Sequence, residues 1–156
     1  MNFNDETTYK NVDFGDMPPQ TFLLGLLSAF ENRYQAVADK FFQEITWKQF
    51  FAVICINLCK ESPTLNDLAE VMGSSHQNVK QILLKLERTG FVETRRDESD
   101  KRKQRIYVTE KCMRFCETHH TQSQIMMGKM FEGVDEDAII TTIQTIMKIE
   151  ENLRSL

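Results

Sequence analysis

The sequence lacks the features by which many enzymes and membrane proteins are recognised. No apolar run reaches the roughly 18 residues that predict a membrane-spanning helix, and the acidic, polar N-terminus does not resemble a secretory signal. There is no P-loop, no Gly-rich nucleotide loop and no G-x-S-x-G motif, and histidine occurs only three times. These absences argue against an enzyme, and they predict a cytoplasmic protein that is not attached to a membrane.

Cysteine is also scarce. Cys55, Cys59, Cys112 and Cys116 have helical spacing on apolar faces and do not form the disulfide framework of a small secreted domain. Cys112, Cys116 and His119 would share one helical face, but zinc sites usually contain C-x-x-C pairs. We therefore predict no metal site and no cofactor, and we interpret the thiols as apolar packing groups. Redox or metal sensing by them is the alternative left open.

A general excess of positive charge is absent too. The 156-residue chain has a net charge of −4, which argues against a protein that binds nucleic acid with its whole surface. From Ser74 to Arg105, however, nine Lys/Arg stand against five Asp/Glu, so this stretch carries +4 and the remainder −8. Any affinity for phosphate would have to come from this stretch.

What is present is a regular alternation of helical patterns and helix-ending signals. Three pairs with capping-box spacing predict helix starts: Thr46 with Gln49, Thr64 with Asp67, and Ser74 with Gln77. Gly73 and Gly90 predict the ends of the second and third of these helices. A short helix, a tight turn and a longer helix form a helix-turn-helix. Further amphipathic helices are predicted before it, to Phe41, and after it, over 109–131 and 135–156.

The central stretch combines a polar helix face with a charged hairpin. Phe91–Arg96 and Arg105–Val108 predict two strands joined by a polar loop. The major groove of B-DNA admits one helix whose polar side chains match base edges, and a basic hairpin can reach an adjacent minor groove. We therefore predict binding of double-stranded DNA. The candidate residues are Ser75, His76, Gln77, Asn78, Lys80, Gln81 and Lys85 on the helix, and Arg95, Arg96, Asp100, Lys101, Arg102, Lys103 and Arg105 on the hairpin.

Gln77 is predicted in two roles, as the capping partner of Ser74 and as a reader of bases. One amide side chain cannot be committed to both, so one of the two roles must be wrong.

The stretch LNDLAEVMGSSHQNVKQILLKLERTGFVETRRDESDKRKQRIYVT resembles winged-helix transcription regulators of the MarR family, and the resemblance extends from about Thr21 to the C-terminus. The family's wing pattern is D-x-R-D-x-R, followed by a hydrophobic residue and Thr. Asp97, Asp100, Arg102 and Val108–Thr109 match it, whereas Ser99 stands at the place of the middle arginine.

The resemblance implies roles for several residues. Arg102 would enter the minor groove, Asp100 would orient it, and the face from Gln77 to Gln81 would lie in the major groove. It also implies a homodimer whose interface is built from the first helix and the last two helices. Such a dimer would read an inverted repeat.

The predicted fold is therefore mainly α with a small β-hairpin, a winged helix-turn-helix with N- and C-terminal dimerisation helices. Residues 1–17 would form a flexible arm, 18–45 and 110–156 the dimerisation region, and 46–109 the DNA-binding region, within one integrated domain. The predicted function is an effector-responsive, homodimeric repressor that binds an inverted-repeat operator. The alternative is a winged-helix protein-interaction module without specific DNA binding, which the negative overall charge favours.

Members of the family respond to small aromatic ligands, to oxidants or to metals. The candidate residues of a pocket for a small aromatic effector are Phe30, Tyr34, Trp47, Phe50 and Phe51. The alternative is that these rings simply fill the core. The sequence leaves open the operator, the target genes, the effector and the direction of regulation.

Overall fold

The computed structural model describes residues 15–156, which form a mainly helical fold with one hairpin. In chain order the elements are α1 (Pro19–Phe41), α2 (Trp47–Leu58), α3 (Leu65–Val71), α4 (His76–Arg88), β1 (Val92–Arg96), β2 (Gln104–Val108), α5 (Glu110–Met130) and α6 (Glu136–Leu153). The predicted fold class, mainly α with a small β-hairpin, is confirmed. The predicted N-terminal arm, residues 1–17, lies outside the described residues except for 15–17.

The starts of α2 and α3 are set by side chains that satisfy the first backbone groups of each helix. The backbone N–H of Thr46 donates to Oε1 of Gln49 at 2.8 Å, and the Thr46 hydroxyl accepts from the backbone N–H of Gln49. Thr64 and Asp67 exchange the same pair of bonds. Both predicted capping boxes are confirmed.

The predicted start of α4 at Ser74 is wrong by one residue. Gly73 has a φ of 59°, and the backbone N–H of Ser74 donates to the carbonyl of Ala69 at 3.0 Å. The positive φ of Gly73 and this hydrogen bond form a Schellman motif, in which Ser74 belongs to the end of α3. The chain can begin the next helix only after that turn, so Ser75 is the N-cap, and its hydroxyl accepts from the backbone N–H of Asn78 at 3.3 Å.

Gly90 ends α4 as predicted and turns the chain into the hairpin. Its φ is 74°, and the backbone N–H of Phe91 donates to the carbonyl of Leu86 at 2.8 Å. The two strands are antiparallel, with register from Val92 opposite Val108 to Arg96 opposite Gln104. Residues 97–103 therefore form the tip of the hairpin.

The chain divides into two compact units after Thr109. In the first unit α2, α3, α4 and the hairpin share an apolar core. Its largest fully buried side chains are Phe91, Leu68, Leu86, Ile106, Val53, Val79, Pro63 and Cys55. Val79, Ile82, Leu83 and Leu86 form the inward stripe of α4 and are buried.

The second unit consists of α5 and α6. Gly133, with a φ of 75°, lies between the two helices, and Asp135 caps α6. Cys112 and Phe115 are buried in α5, whereas no residue of α6 is buried. Within residues 15–156, no helix combines the length and the apolar character that crossing a membrane requires.

Candidate nucleic-acid interface

Helix α4 presents a fully exposed polar face. Burial of its inward stripe fixes the rotation of the helix, so the remaining positions face solvent. All seven candidate residues of the helix are exposed: Ser75, His76, Gln77, Asn78, Lys80, Gln81 and Lys85. The face carries hydroxyl, amide, imidazole and ammonium groups, which are the donor and acceptor types that match base edges and phosphates.

The first turn of α4 settles which role of Gln77 is wrong. The capping hydroxyl belongs to Ser75 and its backbone donor to Asn78, so the predicted capping role of Gln77 is wrong. Nδ2 of Asn78 donates to the Ser74 hydroxyl at 2.8 Å. Asn78 is therefore the amide side chain that is held by a neighbour, and the exposed Gln77 is not the partner of the cap.

A cluster of exposed cations lies at the tip of the hairpin and on the adjoining end of β1. Arg96, Lys101, Arg102 and Lys103 are exposed, and the Arg102 side chain is 92% exposed. Nε of Arg102 donates to Oδ1 of Asp100 at 3.2 Å, so Asp100 limits the directions in which the guanidinium can extend. A planar guanidinium on a protruding tip has the size and charge that a narrow minor groove accommodates.

Arg95 lies on the body of the hairpin rather than at its tip. Its guanidinium carbon is 5.0 Å from the centre of the Tyr107 ring, and the group pairs with Glu93. The cation therefore lies along the sheet, where the ring and the carboxylate hold it.

Arg105 differs from the other candidate cations because it is turned towards the protein. Its Nε donates to Oδ2 of Asp97 at 2.7 Å, and its Nη1 donates to the carbonyl of Ser62 at 2.9 Å. The side chain is 21% exposed. Arg105 was predicted to bind DNA as one of the cations of the hairpin, and these bonds engage its guanidinium within the protein.

Asp97 accepts hydrogen bonds at both carboxylate oxygens. Oδ1 accepts from the hydroxyl and the backbone N–H of Ser99 and from the backbone N–H of Asp100. Together with the bond from Arg105, these donors hold the pKa of the Asp97 carboxyl well below its usual range, and the Ser99 hydroxyl contributes most. Ser99, at the place of an arginine in the wing pattern, thus still contacts this carboxylate.

An aromatic cavity of about 530 Å³ lies beside the start of α4. The ring centres of Tyr34 and Trp47 are 4.6 Å apart in an edge-to-face arrangement, and those of Trp47 and Phe51 are 5.9 Å apart. Nζ of Lys48 lies 3.6 Å from a carboxylate oxygen of Glu31. The walls are formed by Phe30, Glu31, Tyr34, Trp47, Lys48, Phe51, Met72, Gly73, Ser74, Asn78 and Ile82. We refer to it below as the aromatic cavity.

Four of the five predicted pocket residues line the aromatic cavity, but Phe50 does not. Trp47 and Phe51 are one helical turn apart and face the same side of α2. The Phe50 ring packs on Phe42, with ring centres 4.5 Å apart, and so serves the core. Burial raises the pKa of the Tyr34 phenol.

The aromatic residues account for only four of the eleven residues of the cavity wall. Met72, Gly73, Ser74, Asn78 and Ile82 come from the end of α3 and the first turns of α4. No residue type in this group signals a ligand pocket, because it is the turn at Gly73 that carries these side chains to α1 and α2. The carbonyl of Ser62 was missed for a related reason, since a backbone group has no sequence signature.

The cysteines show no sign of forming a reactive or metal-binding centre. None of the four forms a disulfide, and burial raises the pKa of the Cys112 thiol to about 12. The pKa values of the Cys55, Cys59 and Cys116 thiols are also raised, chiefly by burial. Over the part of the chain that the structure describes, no group of three or more His, Cys, Asp or Glu residues could hold a metal ion.

Comparisons with known proteins agree with this geometry. Residues 45–103 match the model of the MarR family, whereas no curated protein matches the sequence. A MarR/EmrR family transcriptional regulator from Acinetobacter sp. ADP1 superposes with a TM-score of 0.78 at 12% identity, covering 90% of this chain and 100% of that one.

Several of the similar structures contain DNA. A mutant of the Escherichia coli MarR protein complexed with operator DNA has a TM-score of 0.71 at 22% identity, covering 86% of this chain and 99% of its own. The Staphylococcus aureus MepR–DNA complex has a TM-score of 0.71 at 18% identity, covering 82% of this chain and 94% of its own. At these identities the structures establish a shared fold. The match to the MarR family model covers residues 45–103, which contain the helix-turn-helix and the tip of the hairpin, and the similar structures share the winged-helix fold.

Proposed function

We propose that this protein is a transcriptional regulator that binds double-stranded DNA through α4 and the wing. The name wing is used from here on for residues 92–108. The proposal rests on one observation above all: α4 buries one apolar stripe and exposes amide, hydroxyl, imidazole and cationic groups over residues 75–85, with Leu84 as the one apolar side chain among them. In an otherwise acidic chain, the stretch from 74 to 105 is net positive. The two DNA complexes of similar fold support the same function.

The proposed contacts divide into two groups. The side chains from Ser75 to Lys85 would enter the major groove and face bases and phosphates. Arg102 would enter the neighbouring minor groove, while Arg96, Lys101 and Lys103 would neutralise phosphates. Arg95 would remain on the sheet beside Tyr107 and add to the local positive field. Sequence specificity would then come mainly from α4.

The direct test is selection of duplexes from a random-sequence pool, followed by fluorescence anisotropy with the selected duplex. We expect tight binding whose affinity falls steeply with salt concentration, because each neutralised phosphate releases counterions. Lys80→Ala and Arg102→Ala should each weaken binding about tenfold or more. Lys129→Ala removes an exposed cation of α5 and serves as the control that should bind normally.

Affinity that does not change with salt, or selection that enriches no sequence, would contradict the proposal. Such a result would favour the alternative of a winged-helix module that binds other proteins, because a protein surface does not require counterion release from phosphates. Lys80→Ala and Arg102→Ala would then bind the duplex with the same affinity as the unaltered protein.

We also propose that the regulator acts as a homodimer on an inverted repeat. Helix α6 has no buried residue although Ile143, Met147 and Leu153 are apolar, and α1 exposes Leu24, Phe30 and Val37. Burying these groups against a second copy would remove apolar surface from water. The two copies of α4 would then lie about one helical turn of DNA apart, roughly 34–36 Å. The enriched duplexes should accordingly contain two related half-sites.

A small aromatic ligand in the aromatic cavity is the proposed effector. The cavity combines stacked rings with a few polar groups, as pockets for organic ligands do. Its wall includes Ser74 and Asn78, so an occupant would touch the first turn of the proposed recognition helix. Ligand binding there would favour one orientation of α4 and change the affinity for DNA.

Trp47 makes this proposal simple to test, because it is the only tryptophan of the chain and lines the cavity. A panel of simple phenols is titrated while the Trp47 fluorescence is followed, and the bound compounds are added to the DNA titration. We expect the same compounds to quench the fluorescence and to lower DNA affinity, and Phe51→Ala to weaken both effects. Quenching that leaves DNA affinity unchanged would overturn the effector role. A reporter gene behind the selected operator then tests whether the regulator represses.

A further inference from the structure

The wing is joined to the segment before α3 by the side chain of Arg105 and by the backbone N–H of Ile106, which donates to the carbonyl of Pro63 at 2.9 Å. Arg105 of β2 donates from Nε to Oδ2 of Asp97 at 2.7 Å and from Nη1 to the carbonyl of Ser62 at 2.9 Å. The side chains of Arg105 and Asp97 are only 21% and 11% exposed. We call this group of Ser62, Asp97 and Arg105 the wing tie. Because the pair is partly shielded from water, it is held more firmly than an exposed ion pair.

The same carboxylate also shapes the tip of the wing. Oδ1 of Asp97 accepts from the backbone N–H groups of Ser99 and Asp100 at 2.8 and 2.9 Å, and from the Ser99 hydroxyl at 2.6 Å. One oxygen of Asp97 therefore holds the tip, while the other is held by Arg105. A substitution that breaks the wing tie should therefore weaken the hydrogen bonds of the backbone N–H groups of residues 99 and 100.

Arg102 is attached to the end of this series of bonds. Oδ1 of Asp100 accepts from the backbone N–H and from Nε of Arg102, each at 3.2 Å. The Arg102 side chain makes these bonds while remaining 92% exposed. The direction of the Arg102 side chain therefore depends on Asp100. The backbone of Asp100 is hydrogen-bonded to Asp97, and Asp97 is hydrogen-bonded to Arg105, which also donates to the carbonyl of Ser62.

We infer that Arg105 is a positioning residue: through the wing tie it presents Arg102 to the minor groove, and it does not itself contact DNA. The inference rests on the proposed function. The wing pattern described above has an arginine where this chain has Ser99. Here the guanidinium that holds the Asp97 carboxylate comes instead from β2, and Ser99 supplies two smaller donors. The chain keeps a braced tip with a different set of partners.

The competing explanation is that Arg105 binds a phosphate directly. The two explanations differ in what they require of the side chain. A phosphate contact needs mainly the charge, which Arg105→Lys retains. The wing tie needs donors in two directions from one planar group, and a single ammonium group cannot reproduce the Nε and Nη1 bonds.

The experiment measures DNA affinity by anisotropy with the duplex selected by the unaltered protein. Arg105→Lys should weaken binding about tenfold, whereas Arg114→Lys, the same change at an exposed ion pair of α5, should have no effect. In the Arg102→Ala background, Arg105→Lys should cause no further loss, because the group that it positions is already absent. The slope of affinity against salt should be the same for Arg105→Lys and the unaltered protein.

A second measurement uses the protein without DNA. Hydrogen exchange of the backbone amides of residues 99, 100 and 103 should be accelerated in Arg105→Lys, while exchange in α2 remains unchanged. Ser99→Ala, which retains the backbone donor, should give a smaller acceleration. Because this measurement needs no DNA, it tests the wing tie separately from the proposed function.

The outcomes are separable. Normal DNA affinity of Arg105→Lys, or equal losses in the presence and absence of the Arg102 side chain, would overturn the positioning role. Unchanged exchange at the tip would overturn the wing tie itself. If the unaltered protein enriches no duplex, the proposed function fails and the presentation of Arg102 to DNA fails with it, whatever the exchange measurement gives.

Discussion

At the scale of single residues, the chemistry of this protein depends on which groups a side chain meets. Asp97 and Asp100 are both aspartates of the wing tip, yet Asp97 accepts at both oxygens and Asp100 only at one. Arg102 and Arg105 carry the same charge, yet one is exposed and the other engaged. Residue type alone does not distinguish the members of either pair.

Asp97 should make stability depend on pH in a defined range. Its folded-state pKa lies below the ordinary value of 3.8, so its contribution is present above that pH and is lost as the pH falls below it. We expect Asp97→Asn to lower the melting temperature equally at pH 7 and pH 5, since the new amide places a donor opposite Arg105. The difference from the unaltered protein should shrink below about pH 4.

Melting curves over this pH range provide the test, and Glu98→Gln is a suitable control because Glu98 is an exposed neighbour. A difference that already shrinks between pH 7 and pH 5 would show that Asp97 is not held in its ionised form by these bonds.

Cys112 should be chemically inert in the folded protein. Burial raises its pKa to about 12, and its side chain is 1% exposed. At pH 8 it would carry roughly a thousandfold less thiolate than an ordinary cysteine, and the thiolate is the reactive form. We expect a thiol reagent to label Cys112 only after unfolding, as followed by peptide mass spectrometry. Rapid oxidation of Cys112 by peroxide in the folded protein would instead support the redox alternative.

At the scale of elements, the first residue of α4 is set by the C-terminal motif of α3 at Gly73 together with the N-cap at Ser75. The backbone N–H of Ser74 takes part in the Schellman motif at Gly73, and the capping hydroxyl of α4 therefore comes from Ser75. This one-residue shift leaves Gln77 outside the cap and in the exposed face. The hydrogen-bonding requirement of the preceding helix end thus decides which amides α4 offers to solvent.

Substitution of Ser75 and of Gln77 tests directly which of the two side chains contributes to the N-cap of α4. Ser75→Ala should lower the free energy of unfolding by about 1 kcal/mol, the usual effect of losing an N-cap hydroxyl. Gln77→Ala should change it by less than about 0.5 kcal/mol, as for other exposed positions. Urea denaturation of the two variants provides the comparison. Equal losses would restore the capping role of Gln77.

At the scale of the whole molecule, charge and apolar surface are separated along the chain. The stretch from Ser74 to Arg105 is basic within an acidic protein, and α6 exposes Ile140, Ile143, Met147 and Leu153. The former is suited to a polyanion and the latter to another apolar surface. A regulator that binds an inverted repeat as a dimer would use both.

The dimer proposal can be tested with α6 alone as the target of mutation. Ile143 is 51% exposed, and Ile143→Glu should shift the sedimenting species from dimer to monomer, because burial of an unpaired carboxylate in an apolar interface is costly. Thr145→Glu adds the same charge two positions later, on the opposite side of the helix, and should leave the dimer intact. A monomeric unaltered protein, or identical behaviour of both variants, would contradict the proposal.

Much of the fold could be predicted from the sequence because its signals are local. Capping boxes act over three residues, glycine ends a helix where a positive φ is needed, and the apolar stripe of α4 repeats every three or four residues. These features determined the helix-turn-helix, the hairpin and the exposed α4 face. The resemblance in the wing indicated the MarR family, whose model matches residues 45–103.

Only the tertiary structure decided features that depend on long-range contacts. Arg105 meets the carbonyl of Ser62, which lies 43 residues away in sequence, and Phe50 turns from the aromatic cavity towards Phe42. Met72 and Asn78 join the cavity wall because the turn at Gly73 brings them to α1 and α2. Charge, aromaticity and spacing define what each side chain could do, whereas the folded backbone determines the partner that it actually meets.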